Sequence, residues 1–148
     1  MARDDVERPE WLDITRVAHL QASSGQESHP IEAAFSSRGE AGWRASEPGE
    51  QVIRVVFRHP MNLRLIRVVF MEANLPRTQE FTLLWSSHRG ETHRQIVRQQ
   101  FNFSPSGATR EVEEYEVELY DVTWLELRIV PDIQSGKAFA SLAELRIA

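Results

Sequence analysis

The sequence contains no cysteine. That excludes disulfides, thiol catalysis and thiolate metal sites together. Lysine is nearly absent, with Lys137 alone among the 17 basic residues. No apolar run approaches the ~20 residues that span a bilayer as a helix. The opening Met1–Glu10 lacks the apolar core of a secretory signal. With the missing cysteines, this gives the expectation of a cytoplasmic protein of bacterial type that uses no membrane. The net charge of −5 argues against indiscriminate nucleic-acid binding, whose affinity comes mostly from neutralising phosphates. Catalysis finds little support. His19, His29, His59, His88 and His93 show no metal-ligand spacing, and no glycine-rich phosphate loop is present. Internal repeats, low-complexity tracts and linkers are lacking too.

What is present is alternation. The 148 residues are 41% hydrophobic and 26% charged, the composition of one ordinary globular domain. Residues 11–148 are expected to form that domain, behind a frayed segment 1–10. Between Gln51 and Met71, Ile53, Val55 and Phe57 share one face, and Ile66, Val68 and Phe70 share another. A period of two in Val, Ile and Phe predicts strands. Pro60 predicts a turn between them, because it cannot donate to a ladder.

Further strands are predicted over Trp11–Ala22, Glu80–Ser87, Arg94–Phe103, Glu111–Leu119, Thr123–Val130 and, at the end, Ala143–Ile147. Tyr115, Val117 and Leu119 point inward while Glu114, Glu116 and Glu118 point out. Pro30–Phe35 suits one helical turn. Eight or so strands with almost no helix predict an all-β protein, an eight-stranded antiparallel β-sandwich of jelly-roll type.

Charge is unevenly spread. Eight arginines lie between Arg54 and Arg98, and five glutamates lie without a base between Glu111 and Glu118. Such asymmetry marks either an anion-facing patch or Arg–Glu pairing across the solvent face of a sheet. The second is the commoner arrangement.

Several stretches, in their order, resemble the discoidin family, which includes the coagulation factor V/VIII type C domains and many carbohydrate-binding modules of the galactose-binding domain-like fold. They are Gln21–Ser24, Pro30–Phe35, Gly42–Ala45, Ile66–Phe70, Phe81–Gly90 and Ala140–Ile147. The resemblance implies a jelly roll whose loops at one end bind a ligand, commonly a sugar and sometimes lipid, protein or DNA ends. The loops Ser23–Ser28 and Ser36–Gly42 would lie at that end, and the turn His88–His93 would border it or the opposite one.

Family members that hold a structural calcium carry an acidic residue in the loop before the tryptophan and a carboxylate near the C-terminus. Here Ser36 and Ser37 stand where the acid is expected, beside Arg38, and Glu144 supplies the carboxylate. Calcium seeks six to eight oxygens, several of them charged. Ser36, loop carbonyls and Glu144 would make a weak site at best. Alternatively, Glu144 pairs with Arg128 or Arg146.

Sugar binding needs a flat aromatic and polar groups placed for hydroxyls. Of the four tryptophans, Trp11, Trp43, Trp85 and Trp124, Trp43 corresponds to a packing position of the family and Trp85 shares a face with Phe81 and Leu83. Trp124 stands opposite the inward residues of its strand. The candidate ligand residues are Arg38, His88, Arg89, His93 and Trp124. The expected function is non-enzymatic binding of carbohydrate through the loops at one end. The alternative partner is another protein, bound by an intracellular scaffold domain of the same fold.

Overall fold

The computed structural model describes residues 9–36, 42–88 and 90–148. Residues 1–8 of the expected frayed segment, Arg38 and Arg89 lie outside them. Of the described residues 62% are strand and 7% helix, and the strands pair antiparallel into a β-sandwich. Eight strands are present among the described residues, but not the eight that alternation marks out. They are β1 (Ala18–Ala22), β2 (Trp43–Pro48), β3 (Gln51–Met71), β4 (Arg77–Ser86), β5 (Arg94–Phe103), β6 (Arg110–Val130), β7 (Phe139–Leu142) and β8 (Glu144–Ile147).

Pro60, expected to turn the chain, lies inside a strand. It does not end a strand: β3 runs through it for 21 residues, and β6 likewise runs for 21 residues past Asp121. The two form one long antiparallel ribbon from Gln51↔Ile129 to Met71↔Arg110. Its register breaks between Val56 and Met61, where no ladder bond is asked of the proline nitrogen. Opposite the break, Asp121 takes φ 57°, a conformation that Asp tolerates better than most residues. Its amide donates to Asn62 Oδ1 at 3.0 Å. The ribbon bends there, so its two halves belong to two layers.

The first half of β3 and the second half of β6 lie in the order β1-β3-β6-β4-β5, while β8 pairs with Ile66–Val69 of β3. Strands β2 and β7 pair with each other. Between the layers sit Ile53, Val55, Phe57, Ile66, Val68, Phe70, Phe81, Leu83, Leu125 and Leu127 in one continuous cluster. The Phe70 and Phe81 rings meet across it at 5.1 Å. At about 1.5–3 kcal/mol for each large side chain taken from water, this cluster is the main term favouring the fold.

The other departures have physical causes. Trp11–Ala22 is not all strand: Ile14–Val17 is a helical turn before β1. Ile14, Val17 and Leu20 are spaced by three, which suits a helix better than a strand. Ile31–Phe35 is a 3-10 turn, in keeping with Pro30. Strands β2 and β7 escape detection because they are short and carry no clean alternation.

Candidate functional site

Register divides the loops between two ends. Strand β1 finishes at Ala22 opposite Ile53, β3 starts at Gln51 opposite Ile129, and β4 starts near Val130. The Ser23–His29 loop, the Pro48–Gly49 turn and the segment after Pro131 therefore share one end. Strand β4 finishes at Ser86 opposite Trp124, so the turn His88–His93 lies at the opposite end. Of the two ends open to the His88–His93 turn, it takes the one away from Ser23–Ser28, and residues 37–41 of the Ser36–Gly42 loop lie outside the described residues.

At the Ser23–His29 end the loop is pinned at several points. Ser23 and Ser24 each donate from Oγ to Gln51 Oε1 at 2.7 Å. The indole of Trp43 donates to Ser24 O at 3.0 Å, and Gln26 Nε2 donates to Ala45 O at 3.1 Å. Trp43 is fully buried, so it packs under the loop, as the resemblance implies. Gln51 is buried too, and its Nε2 donates to Glu47 O at 3.2 Å. A loop fixed in this way loses little entropy on meeting a ligand.

Beside it, Pro48 pairs with Phe139 and the Gly49 amide donates to Ala138 O at 2.9 Å. Phe139 is 49% exposed. Its neighbours in the same turns include the exposed Glu47, Glu50 and Lys137. The sequence pattern, which draws the eye to the tryptophans, does not single out Phe139. The signal that marks it is a large aromatic between two turn segments, outside any alternating run.

At the opposite end, His88, His93 and Trp124 do come together. His93 stacks on Trp124, with centroids 4.7 Å apart and planes 26° from parallel. Gly90, at φ 87°, approaches so closely that an added Cβ would stand 3.2 Å from the indole. Ser86 Oγ accepts from the His88 and Gly90 amides at 2.9 and 3.2 Å, and the Ser87 and Thr92 hydroxyls meet His88 Nδ1 at 3.1 and 3.4 Å. Arg54 lies over the same indole at 5.4 Å. Trp124 is thus half-buried and engaged by its own turn and by Arg54, which makes it a post for the turn.

Next to it, Arg54 Nε donates to Glu126 Oε1 at 2.9 Å, and Arg128 donates to the other oxygen. Glu126 is only 1% exposed, covered by these two side chains. Arg98 pairs with Glu80 at 3.1 Å. Of the arginines between Arg54 and Arg98, Arg54, Arg67 and Arg98 are thus held in cross-strand pairs with glutamate.

The calcium expectation meets a cation already in place. Glu144 Oε2 accepts from Arg67 Nε at 3.0 Å and lies 3.9 Å from Arg146. Arg146 also donates to Phe35 O at 3.4 Å, beside Ser36. Two guanidinium groups occupy the carboxylate and carbonyl that an ion would need, so these residues do not fit a calcium site. Millimolar calcium should raise the melting temperature by less than about 1 °C, as expected where mass action has no tight site to work on; a thermal shift assay with and without chelator checks this.

No protein-family model matches the chain, and no curated protein matches it. Solved structures do. The family 32 carbohydrate-binding module of NanJ from Clostridium perfringens, in complex with galactose, superposes with a TM-score of 0.69 at 12% identity, covering 93% of this chain and 96% of that one. A module from the same organism, CpGH89CBM32-5 in complex with GalNAc-β-1,3-galactose, gives 0.66 at 17% identity, covering 93% and 99%. XRCC1 bound to the catalytic domain of DNA polymerase beta gives 0.65 at 13% identity, covering 89% and 95%. The chain has the galactose-binding domain-like fold, shared by the family 32 carbohydrate-binding modules and the discoidin domains.

Proposed function

We propose that this protein is a non-enzymatic carbohydrate-binding module that takes its sugar at the end bearing the Ser23–His29 loop and Phe139. The observation that carries the reading is the superposition, over 93% of the chain, on modules solved with galactose and with GalNAc-β-1,3-galactose. The geometry at this end supports it. Phe139 offers an exposed ring for the CH face of a pyranose, and the polar turns around it supply groups for hydroxyls. The rigid Ser23–His29 loop bounds that surface.

The sequence-derived set His88, His93 and Trp124 remains a second candidate surface for a ligand, with Arg54 added to it. Arg38 and Arg89 would contribute donors from the loops that hold them. A second reading, a protein-interaction domain, is favoured by the likeness to XRCC1 in complex with a polymerase domain.

A glycan array run beside a pull-down from cell lysate separates the two readings. The carbohydrate reading expects glycans containing galactose or a related hexose to be retained. Phe139→Ala should weaken that binding at least tenfold with little change in melting temperature, because an exposed ring contributes little to stability. Trp124→Ala should leave the affinity unchanged. Retention of a specific protein with an empty array would favour the interaction domain instead.

A further inference from the structure

Among the described residues, the two layers of the sandwich each end in a strand with one free edge, on the same side: strand β5 pairs only with β4, and residues 110–119 of β6 pair only with β3. The two edges face each other across a seam. Gln99 of β5 bridges it, accepting from the Tyr115 hydroxyl at 2.7 Å and donating to Glu113. Partly buried Val97, Phe101, Tyr115, Val117 and Leu119 pack on the core from the two lips. Because β6 doubles back at Asp121, its first half runs opposite to β5.

The lips carry opposite charge. Strand β5 has Arg94 and Arg98, both exposed, and no acidic residue. The facing half of β6 shows exposed Glu114, Glu116 and Glu118. Arg67 meets Glu114 and Glu80 meets Arg98, yet the Arg98 side chain keeps 63% of its surface exposed. Charge on a sheet edge ordinarily blunts it against other chains. With basic residues alone on β5 and acidic ones alone from Glu111 to Glu118 of β6, the blunting is selective: β5 repels β5, β6 repels β6, and β5 attracts β6.

We propose that this side of the sandwich is an interface with a second copy of the chain. A twofold axis along the seam sets β5 of one copy against the first half of β6 of the other, and repeats the contact. Each meeting is antiparallel, so the unused ladder groups of both strands can bond. Such an isologous interface closes on itself and stops at two copies. The arrangement gives a role to the acidic run Glu113–Glu118, which carbohydrate binding at the Phe139 end does not use.

The test is sedimentation velocity on the full chain from about 1 to 300 μM, with circular dichroism confirming that every variant is folded. Wild type should pass from monomer to dimer within this range. The pair Arg94→Glu and Arg98→Glu should hold the protein monomeric, and so should the pair Glu116→Arg and Glu118→Arg. Mixing the two variants should restore a dimer, because each meeting then places glutamates against arginines. A wild type that stays monomeric throughout overturns the proposal. So does a dimer that survives either charge reversal, or a mixture of the two variants that stays monomeric.

Discussion

Glu111→Gln should leave the protein within about 1 kcal/mol of wild type at pH 5 and make it more stable by about 2–4 kcal/mol at pH 9. Glu111 faces inward from the edge of β6, is 1% exposed, and neither of its carboxylate oxygens has a hydrogen-bond partner among the described residues. Burial first, and then the neighbouring Glu113, push its pKa up from 4.5 to about 8. The folded protein therefore keeps a proton that the unfolded chain releases above about pH 4.5. Stability from this carboxyl is complete below that pH and is lost as the pH rises through about 8. Glutamine imitates the protonated form at every pH, so the variant should lack this decline. Each pKa unit is worth about 1.36 kcal/mol; solvent reaching the half-buried Glu113 screens part of the sum, which sets the lower figure. Urea unfolding at pH 5, 7 and 9 checks it, and parallel losses in both proteins would refute it.

Arg77→Ala should cost about 3–5 kcal/mol and lower the melting temperature on the order of 10 °C. Arg77 is buried at the start of β4. Its Nε donates to Glu72 Oε1 at 2.8 Å, while Nη1 donates to Pro131 O at 2.6 Å and to Gln79 Oε1 at 3.1 Å. The guanidinium also lies over the Phe103 ring at 4.8 Å. One side chain thus ties the loop after β3, the start of β4, the end of β5 and the end of β6. Burial alone would raise the pKa of Glu72, but Arg77 and the Asn74 and Leu75 amides hold it below the usual carboxylate range. Truncation leaves that carboxylate, a carbonyl and Gln79 without their donor, and unmade buried bonds are the expensive kind. Arg77→Lys should recover only part of the loss, since an ammonium cannot reproduce the planar fork. Thermal unfolding of the two variants measures this.

The fold was legible wherever burial on one face forced a period of two. Ile53, Val55 and Phe57 are buried, and so are Ile66, Val68 and Phe70; in the first half of β6 the exposed Glu114, Glu116 and Glu118 alternate with Tyr115, Val117 and Leu119. Pro60 misled because a proline is excluded from a ladder only where the ladder uses its nitrogen, and the register break removes that need. The polar bridge from Gln99 to Glu113 and Tyr115 was illegible, since it joins strands that meet only after the ribbon bends. The same holds for Gln79 and Glu111, which share the interior near it.

The candidate site was legible in part. Trp124 was rightly set opposite the inward residues of its strand, and His88, His93 and Trp124 do gather at one turn. Its hold on that turn and the cover from Arg54 depend on contacts between β3 and β6 that no local pattern encodes. Phe139 went unnoticed because exposure of a lone aromatic depends on how the β2–β7 pair sits against its surroundings. The Arg–Glu pairing across the sheet, by contrast, follows from strand register and was foreseen for the Arg54–Arg98 region.

The claim that carries most weight is that sugar binds at the Phe139 end. An amide nitrogen–proton correlation spectrum of the labelled protein, titrated with galactose and with GalNAc-β-1,3-galactose, tests it most directly. Saturable shifts should concentrate in Ser23–Ser28, in Gly49 and Glu50 and around Phe139, leaving the His88–His93 turn still. Shifts confined to that turn and Trp124, or a spectrum unmoved by either sugar at tens of millimolar, would contradict it.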